Sequence, residues 1–244
     1  MNSSQIPSLK IYAHRGFWWP DHAQNSKEAI VRARELGADG VEVDLRMTLD
    51  GELVLCHDKS FRGLEVANKS LAEIWGFSQD AHLAVPLIDE ALLSYDGLIN
   101  LEVKRDSRAR VDEVVGRLAQ TMKTPYWERK VVNSAILFSS FDLETLKELA
   151  KVLPGVPRYL LLDRADSTRR GVREALRLGC EGVNIHYLRA SSFALSLCRE
   201  HALKVGLWTL DDPIRANGFC YSSVSNIITN RVDLLVKGQE NGLY

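Results

Sequence analysis

Gly40-Val41-Glu42-Val43-Asp44-Leu45 alternates apolar, largely β-branched residues with two carboxylates. That is the pattern of a strand with one apolar and one charged face. The Asp-Gly turn in Thr48-Leu49-Asp50-Gly51-Glu52 comes next, between two alternating runs, and so signals a hairpin rather than a helical crossover. Glu52–His57 is therefore expected to run antiparallel to Gly40–Leu45, which returns His57 to the neighbourhood of Asp44. Upstream, Ala13-His14-Arg15-Gly16 ends another short apolar run. The stretch from His14 to Asp58 thus ends three strand-like segments in ionisable residues that a buried strand would normally avoid.

Outward from this stretch the chain keeps a β-then-α rhythm. Leu9–His14 reads as a strand. Asn25 is expected to cap the next helix, with Glu28 completing a capping box and Gly37 closing it. Between Lys59 and Gly97 only Leu71–Trp75 and Ile88–Leu93 read as short helices. The rhythm then resumes with strands at Leu98–Val103, Ser134–Ser139, Arg158–Leu162, Gly182–His186, Lys204–Thr209 and Asn226–Thr229. Helices at Arg108–Met122, Leu143–Val152, Ser167–Leu178 and Ser191–His201 alternate with them. Leaving out the hairpin's return strand, the parallel candidates number about eight, as a (β/α)8 barrel requires. An open doubly wound sheet would want a glycine-rich phosphate loop after an early strand, and the sequence has none. The expected fold is α/β, a (β/α)8 TIM barrel with an antiparallel hairpin extension after strand 2 and a short insertion before strand 3. No linker divides residues 1–244, which read as one barrel domain with residues 59–97 as an insertion of mixed character.

With 244 residues, 45% hydrophobic and 26% charged, the composition is that of a soluble globular protein. A formal net charge of -1 offers no electrostatic footprint for nucleic acid or an anionic membrane. Met1–Lys10 lacks the apolar region of a secretory signal, and no apolar run is long enough for stable membrane insertion. Cys56, Cys180, Cys198 and Cys220 are scattered, which argues against a thiolate metal site and points to a reducing, cytoplasmic setting. Cys56 precedes His57, but strand alternation turns it to the other face, where it reads as a small buried hydrophobe.

In a barrel, strand residues alternate between the interior and the helix layer. With Val41, Val43 and Leu45 facing the helices, Glu42 and Asp44 face the axis. Leu98-Ile99-Asn100-Leu101-Glu102-Val103-Lys104 repeats the device, with Glu102 and Lys104 on one face. Converging carboxylates repel unless a cation lies between them. An all-oxygen set favours Mg2+ or Ca2+ over zinc. A salt-bridge network with Arg15 and Lys104 is the alternative use of the same residues. Arg15 and Lys104 can hold phosphate oxygens, and His14 and His57 can serve as general base and acid across a phosphorus.

The series H-R-G, E-x-D, D-G and H-D, followed by E-x-K on the next strand, resembles the glycerophosphodiester phosphodiesterases. The likeness extends to Val85-Pro86-Leu87-Ile88-Asp89-Glu90, to Ser139-Ser140-Phe141-Asp142, to Leu207-Trp208-Thr209 and to Ile227-Ile228-Thr229-Asn230. It implies a (β/α)8 barrel that hydrolyses glycerophosphodiesters, small-molecule substrates, to an alcohol and glycerol 3-phosphate. Glu42, Asp44 and Glu102 would be the metal ligands and His14 and His57 the acid/base pair. Arg15 and Lys104 would be the phosphate contacts, and Trp208 a wall of the pocket. Ala23-Gln24-Asn25-Ser26 stands where the family usually has P-E-N-T, and Asn230 stands where it usually has Asp. The turn after His57-Asp58 is reduced to Ser60-Phe61-Arg62-Gly63, and Lys59–Gly97, where the family carries a capping insertion, is a reduced cap segment.

In the expected mechanism one histidine deprotonates the glycerol 2-hydroxyl for attack on phosphorus. The other protonates the leaving alcohol, and water opens the cyclic phosphate; direct attack by water is the second route. A lipid-headgroup phosphodiesterase resembling sphingomyelinase D, and a barrel that binds a phosphodiester without turnover, are the alternatives. Trp18-Trp19-Pro20 lies in the loop after the first strand, where it is expected to anchor the loop against the barrel top. His186 ends a barrel strand and can reach the mouth.

Overall fold

The computed structural model describes residues 9–106, 110–219 and 224–242. The strands are β1 (Lys10–His14), β2 (Gly40–Met47), β3 (Leu53–Leu55), β4 (Ser60–Phe61), β5 (Leu64–Glu65) and β6 (Leu98–Val103). They continue as β7 (Ile136–Ser140), β8 (Arg158–Leu162), β9 (Gly182–His186), β10 (Lys204–Trp208) and β11 (Val224–Thr229). The helices are α1 (Lys27–Glu35), α2 (Leu71–Trp75), α3 (Ala81–Ala84), α4 (Ile88–Leu92), α5 (Val111–Met122) and α6 (Pro125–Val132). After these come α7 (Leu143–Val152), α8 (Thr168–Arg177), α9 (Ser192–Glu200), α10 (Pro213–Asn217) and α11 (Val232–Glu240).

Parallel pairing runs β1-β11-β10-β9-β8-β7-β6-β2, and β1 pairs with β2 as well, so the ring of strands closes. This is the expected (β/α)8 barrel. Its core follows from strand alternation: Val41, Val43, Leu45, Ile99 and Leu101 are wholly buried in the layer between strands and helices. The opposite residues of the same strands point into the barrel and are polar where they approach its mouth. No helix among the described residues is long and apolar enough to cross a membrane.

The hairpin forms, but higher on the strand than expected. β2 continues to Met47, and the return strand pairs Leu45 with Leu55, Arg46 with Val54 and Met47 with Leu53. The reason is that β1 occupies that edge of β2 through the pair His14–Glu42. The returning chain can pair only beyond it. The turn is closed by Gly51 N–H donating to Thr48 O at 3.1 Å, with Gly51 at φ +84°, a conformation that favours glycine. β3 divides its two faces between two cores. Leu53 and Leu55 enter the main core, while Val54 and Cys56 join Val66, Ile74 and Val85 in a satellite core beneath the 59–97 segment. Cys56 is thus a buried hydrophobe, its thiol pushed up to about 11 by burial.

Other boundaries shift slightly. α5 begins at Val111; Arg108, the expected start, and Cys220 lie outside the described residues. β11 starts at Val224, and helices α3, α6, α10 and α11 add to those read from the sequence. Inside the barrel, Gly206 sits between the buried amides of Asn184 and Asn226, and a Cβ there would overlap the side-chain oxygen of each. Gly206→Ala is therefore expected to lower stability by about 1–3 kcal/mol through overpacking. Urea unfolding followed by circular dichroism measures this, and an unchanged midpoint would refute the tight interior.

Candidate active site

Strand register brings the ionisable residues together. In the parallel ladder His14 lies beside Glu42, and Asp44 beside Glu102. All of them point to the C-terminal end of the barrel, where (β/α)8 enzymes carry their chemistry. Glu42, Asp44 and Glu102 are 3%, 1% and 7% exposed, and each offers an oxygen within 4.8 Å of the others.

Burying that much negative charge demands compensation. Lys104 Nζ lies 2.9 Å from Asp44 Oδ1 and 2.6 Å from Glu102 Oε1, and Arg15 Nε lies 3.3 Å from Asp44 Oδ2. The salt-bridge alternative read from the sequence is therefore present in the geometry, with Lys104 at its centre. Burial works against the Asp44 charge, but Lys104, then Arg15 and the Asn25 amide outweigh it and hold the carboxyl low, at about 2. Glu102 is pushed up to about 7, by burial first, with Lys104 opposing. Glu42 fares worst: burial, then Asp44 and Glu102, raise it well above the carboxylate range. Its Oε2 is buried without a hydrogen-bond partner among the described residues, with His14 Nε2 3.9 Å away.

Asn25 proves to be a site residue and not the expected helix cap. It stands at φ +63°, and Ser26 caps α1 instead, its Oγ accepting from Ala29 N–H at 3.2 Å. The Asn25 amide is committed to Asp44: Nδ2 donates to Oδ2 at 2.9 Å, and Asp44 N–H donates to Asn25 Oδ1 at 3.0 Å. Arg15 also has a left-handed backbone, φ +60°, held by its N–H on Glu42 O at 2.7 Å and by Asn25 N–H on Arg15 O at 2.9 Å. Such backbones cost about 1–3 kcal/mol each and persist where surrounding contacts over-determine them. Gln24 Oε1 accepts from Arg15 Nη1 at 2.5 Å, so this position carries a neutral partner for the guanidinium.

The two histidines have different supports. His14 Nδ1 lies 2.7 Å from Asn230 Oδ1. Asn230 in turn donates Nδ2 to Asp211 Oδ2 at 3.0 Å and its backbone N–H to Oδ1 at 2.7 Å. Because a carboxylate only accepts, this fixes the amide orientation. Asn230 Oδ1 faces His14, Nδ1 carries the proton, and Nε2 is free toward Glu42. Burial, then Arg15, press His14 down to about 4. The His57 side chain is 38% exposed, and its Nδ1 lies 2.8 Å from Asp58 Oδ1. Burial lowers it too, against the pull of Asp44.

Between them lies a pocket of about 190 Å3. His14, Arg15, Glu42, His57, Glu102 and Lys104 line one side, and Phe141, Leu161, Trp208 and Ile228 the other. Trp208 is fixed by Nε1 donating to Asn184 O at 3.1 Å and by the edge contact of Phe141 at 5.5 Å between ring centroids. His186 does reach the mouth, 5.4 Å edge-on to Trp208 and stacked at 5.2 Å on Tyr187. Trp18 is half-buried, and Trp19, edge-to-face with it at 6.4 Å, is 59% exposed at the rim. A larger cavity, about 790 Å3, opens at the opposite end of the barrel among Lys10, Tyr12, Tyr159 and Lys204, and none of the histidines or clustered carboxylates lines it.

Every residue singled out in the sequence for a metal, phosphate, acid/base or wall role borders this pocket except Asp44, which lies in the carboxylate cluster beneath it. Sequence reasoning assigns no site role to Asn25, Phe141, Leu161, Asp211 or Ile228. Asn25 lay within a motif already noted, but nothing local marks Asp211, whose partner follows 19 residues later.

The chain is similar to known proteins over most of its length. The model of the "Glycerophosphoryl diester phosphodiesterase family" matches residues 14–234. A glycerophosphodiester phosphodiesterase of Caldanaerobacter subterraneus subsp. tengcongensis is 27% identical, covering 93% of this chain and 96% of that one. Among solved structures, an Oleispira antarctica phosphodiesterase in complex with the product sn-glycerol-3-phosphate superposes with TM-score 0.80 at 20% identity, covering 96% and 97% of the two chains. A glycerophosphodiester phosphodiesterase of Thermotoga maritima superposes with TM-score 0.74 at 24% identity, covering 94% and 97%.

Asn25→Ala would leave Asp44 N–H and Oδ2 buried without these partners. A loss of about 1–3 kcal/mol in urea unfolding is expected. Stability equal to the parent protein would show that Asn25 does not support the cluster.

Proposed function

Because the chain belongs to the glycerophosphoryl diester phosphodiesterase family, and so is a phosphoric diester hydrolase, we propose that it cleaves glycerophosphodiesters to an alcohol and glycerol 3-phosphate. The observation that carries this reading is the convergence of two histidines, two cations and buried carboxylates on one pocket with an apolar far wall. The whole chain acts as one catalytic domain, with residues 59–97 as a small cap.

Arg15 and Lys104 hold the phosphate oxygens, and Trp208 with Phe141 packs against the carbon skeleton. His14 is the base. Its Nδ1 proton is committed to Asn230, so Nε2 presents a lone pair in the pocket. It takes the proton of the attacking hydroxyl, favoured as the glycerol 2-hydroxyl, as that oxygen bonds to phosphorus. His57 is the acid. It stands on the hairpin at the solvent side, where the alcohol departs, and gives its proton to that oxygen as the bond to phosphorus breaks. Water then opens the cyclic phosphate, with the two histidines exchanging roles.

Glu42, Asp44 and Glu102 would hold a divalent cation, Mg2+ or Ca2+. The oxygen-only donor set and the unpartnered, buried Glu42 Oε2 both suit a hard ion. When bound, such an ion supplies positive charge against the phosphoryl oxygens.

Glycerophosphocholine is the first substrate to try, with release of glycerol 3-phosphate as the readout. A chelator is expected to abolish turnover, and His14→Ala or His57→Ala to lower kcat by about 10^2–10^4-fold. Full activity in chelator would remove the cation from the reading, and parent-like rates in either variant would remove the acid/base pair.

A further inference from the structure

The two histidines are not equally anchored. His14 is tied through its ring to Asn230, which follows the neighbouring barrel strand β11. The His57 ring, among the described residues, hydrogen-bonds only to its neighbour Asp58, whose side chain is 79% exposed and gives no purchase on the barrel. Something else must hold His57.

That support is Arg46. It is two residues beyond Asp44 on β2, so it emerges on the same face as the carboxylates, yet its side chain is 5% exposed. Its guanidinium grips the segment that carries His57: Nη2 donates to His57 O at 2.7 Å, and Nε lies 3.3 Å from the same carbonyl and 3.2 Å from Cys56 O. The remaining arm, Nη1, donates to Asp106, which is 4% exposed and lies just past the strand of Glu102 and Lys104. One side chain thus links the β2 strand, the end of the hairpin and the segment after β6.

We propose that Arg46, held by Asp106, is a positioning residue that aims His57 at the leaving alcohol; this rests on the functional reading above. Only a planar fork with several N–H groups can span two successive carbonyls and a carboxylate at once; a lysine ammonium cannot hold that geometry. Asp106 supplies the countercharge that makes a buried guanidinium tolerable.

Two variants test it. Arg46→Lys keeps the charge opposite Asp106 but loses the fork. The double variant Arg46→Met/Asp106→Leu removes both buried charges, so neither is left unpaired. For a glycerophosphodiester with an alkyl alcohol, kcat is expected to fall about 100-fold, the cost of a misaimed catalytic group, with KM within about 2-fold. Mg2+ and Ca2+ binding by calorimetry should match the parent protein. With p-nitrophenol as leaving group, which departs without a proton, the loss should shrink to within about 5-fold. In a His57→Ala background the Arg46 substitution should add nothing, because the two act as one unit. An equal loss with both leaving groups, a further drop on His57→Ala, or parent-like kcat in both variants would overturn the proposal alone. Failure of the parent protein to cleave either diester would overturn the functional reading and this proposal with it.

Discussion

Three carboxylates stand where a barrel would otherwise place packed hydrocarbon, and the rest of the mouth is arranged to make that charge tolerable. An ionised carboxyl in such surroundings is costly unless it is paired and hydrogen-bonded. Asp44 is served best, by Lys104, Arg15 and both ends of the Asn25 amide. Glu42 is served least, and its carboxyl is raised accordingly. The cluster is therefore asymmetric. One carboxylate is held firmly charged by the protein itself, while another has an oxygen that no hydrogen-bond donor among the described residues meets.

The need to pair this charge explains features that look local. The left-handed backbones at Arg15 and Asn25 are needed because one short turn must deliver a guanidinium and an amide to the same carboxylate. Ser26 takes the capping role that Asn25 gives up, so α1 still begins with a satisfied N-terminus. On the other side, β2 runs past the barrel rim, carrying Arg46 high enough to meet the returning chain. The satellite core under Val54 and Cys56 then clamps the hairpin from behind.

Alternation made the barrel, the hairpin and the inward carboxylates legible in the sequence, because period-two patterns and an Asp-Gly turn are local signals. The register of the hairpin was not legible. It depends on how far β1 occupies the edge of β2, which is a property of the closed sheet and not of either segment. Asn25 was misread for a similar reason: a capping pattern and a carboxylate partner look alike until the fold brings Asp44 alongside. Asp211 and Asp106 leave no local signal, since each acts on residues distant in the chain, Asp211 through hydrogen bonds from Thr229 and Asn230 and Asp106 through a buried ion pair with Arg46.

The two histidines show what such contacts achieve. A carboxylate in direct contact with His14 would add a fourth negative charge beside three that are already barely compensated. Asn230 instead offers a neutral oxygen, and its orientation is enforced by Asp211 one step farther from the cluster. The His14 ring is thereby oriented without loading the buried carboxylates with more repulsion. His57 faces the opposite problem, since it stands on a flap that crosses the rim and, among the described residues, no barrel side chain hydrogen-bonds its ring. There the backbone is gripped instead, by a cation whose charge is neutralised on its far side by Asp106. In both cases the supporting group is nearly charge-neutral toward the pocket, which leaves Arg15 and Lys104 as the cations that line it.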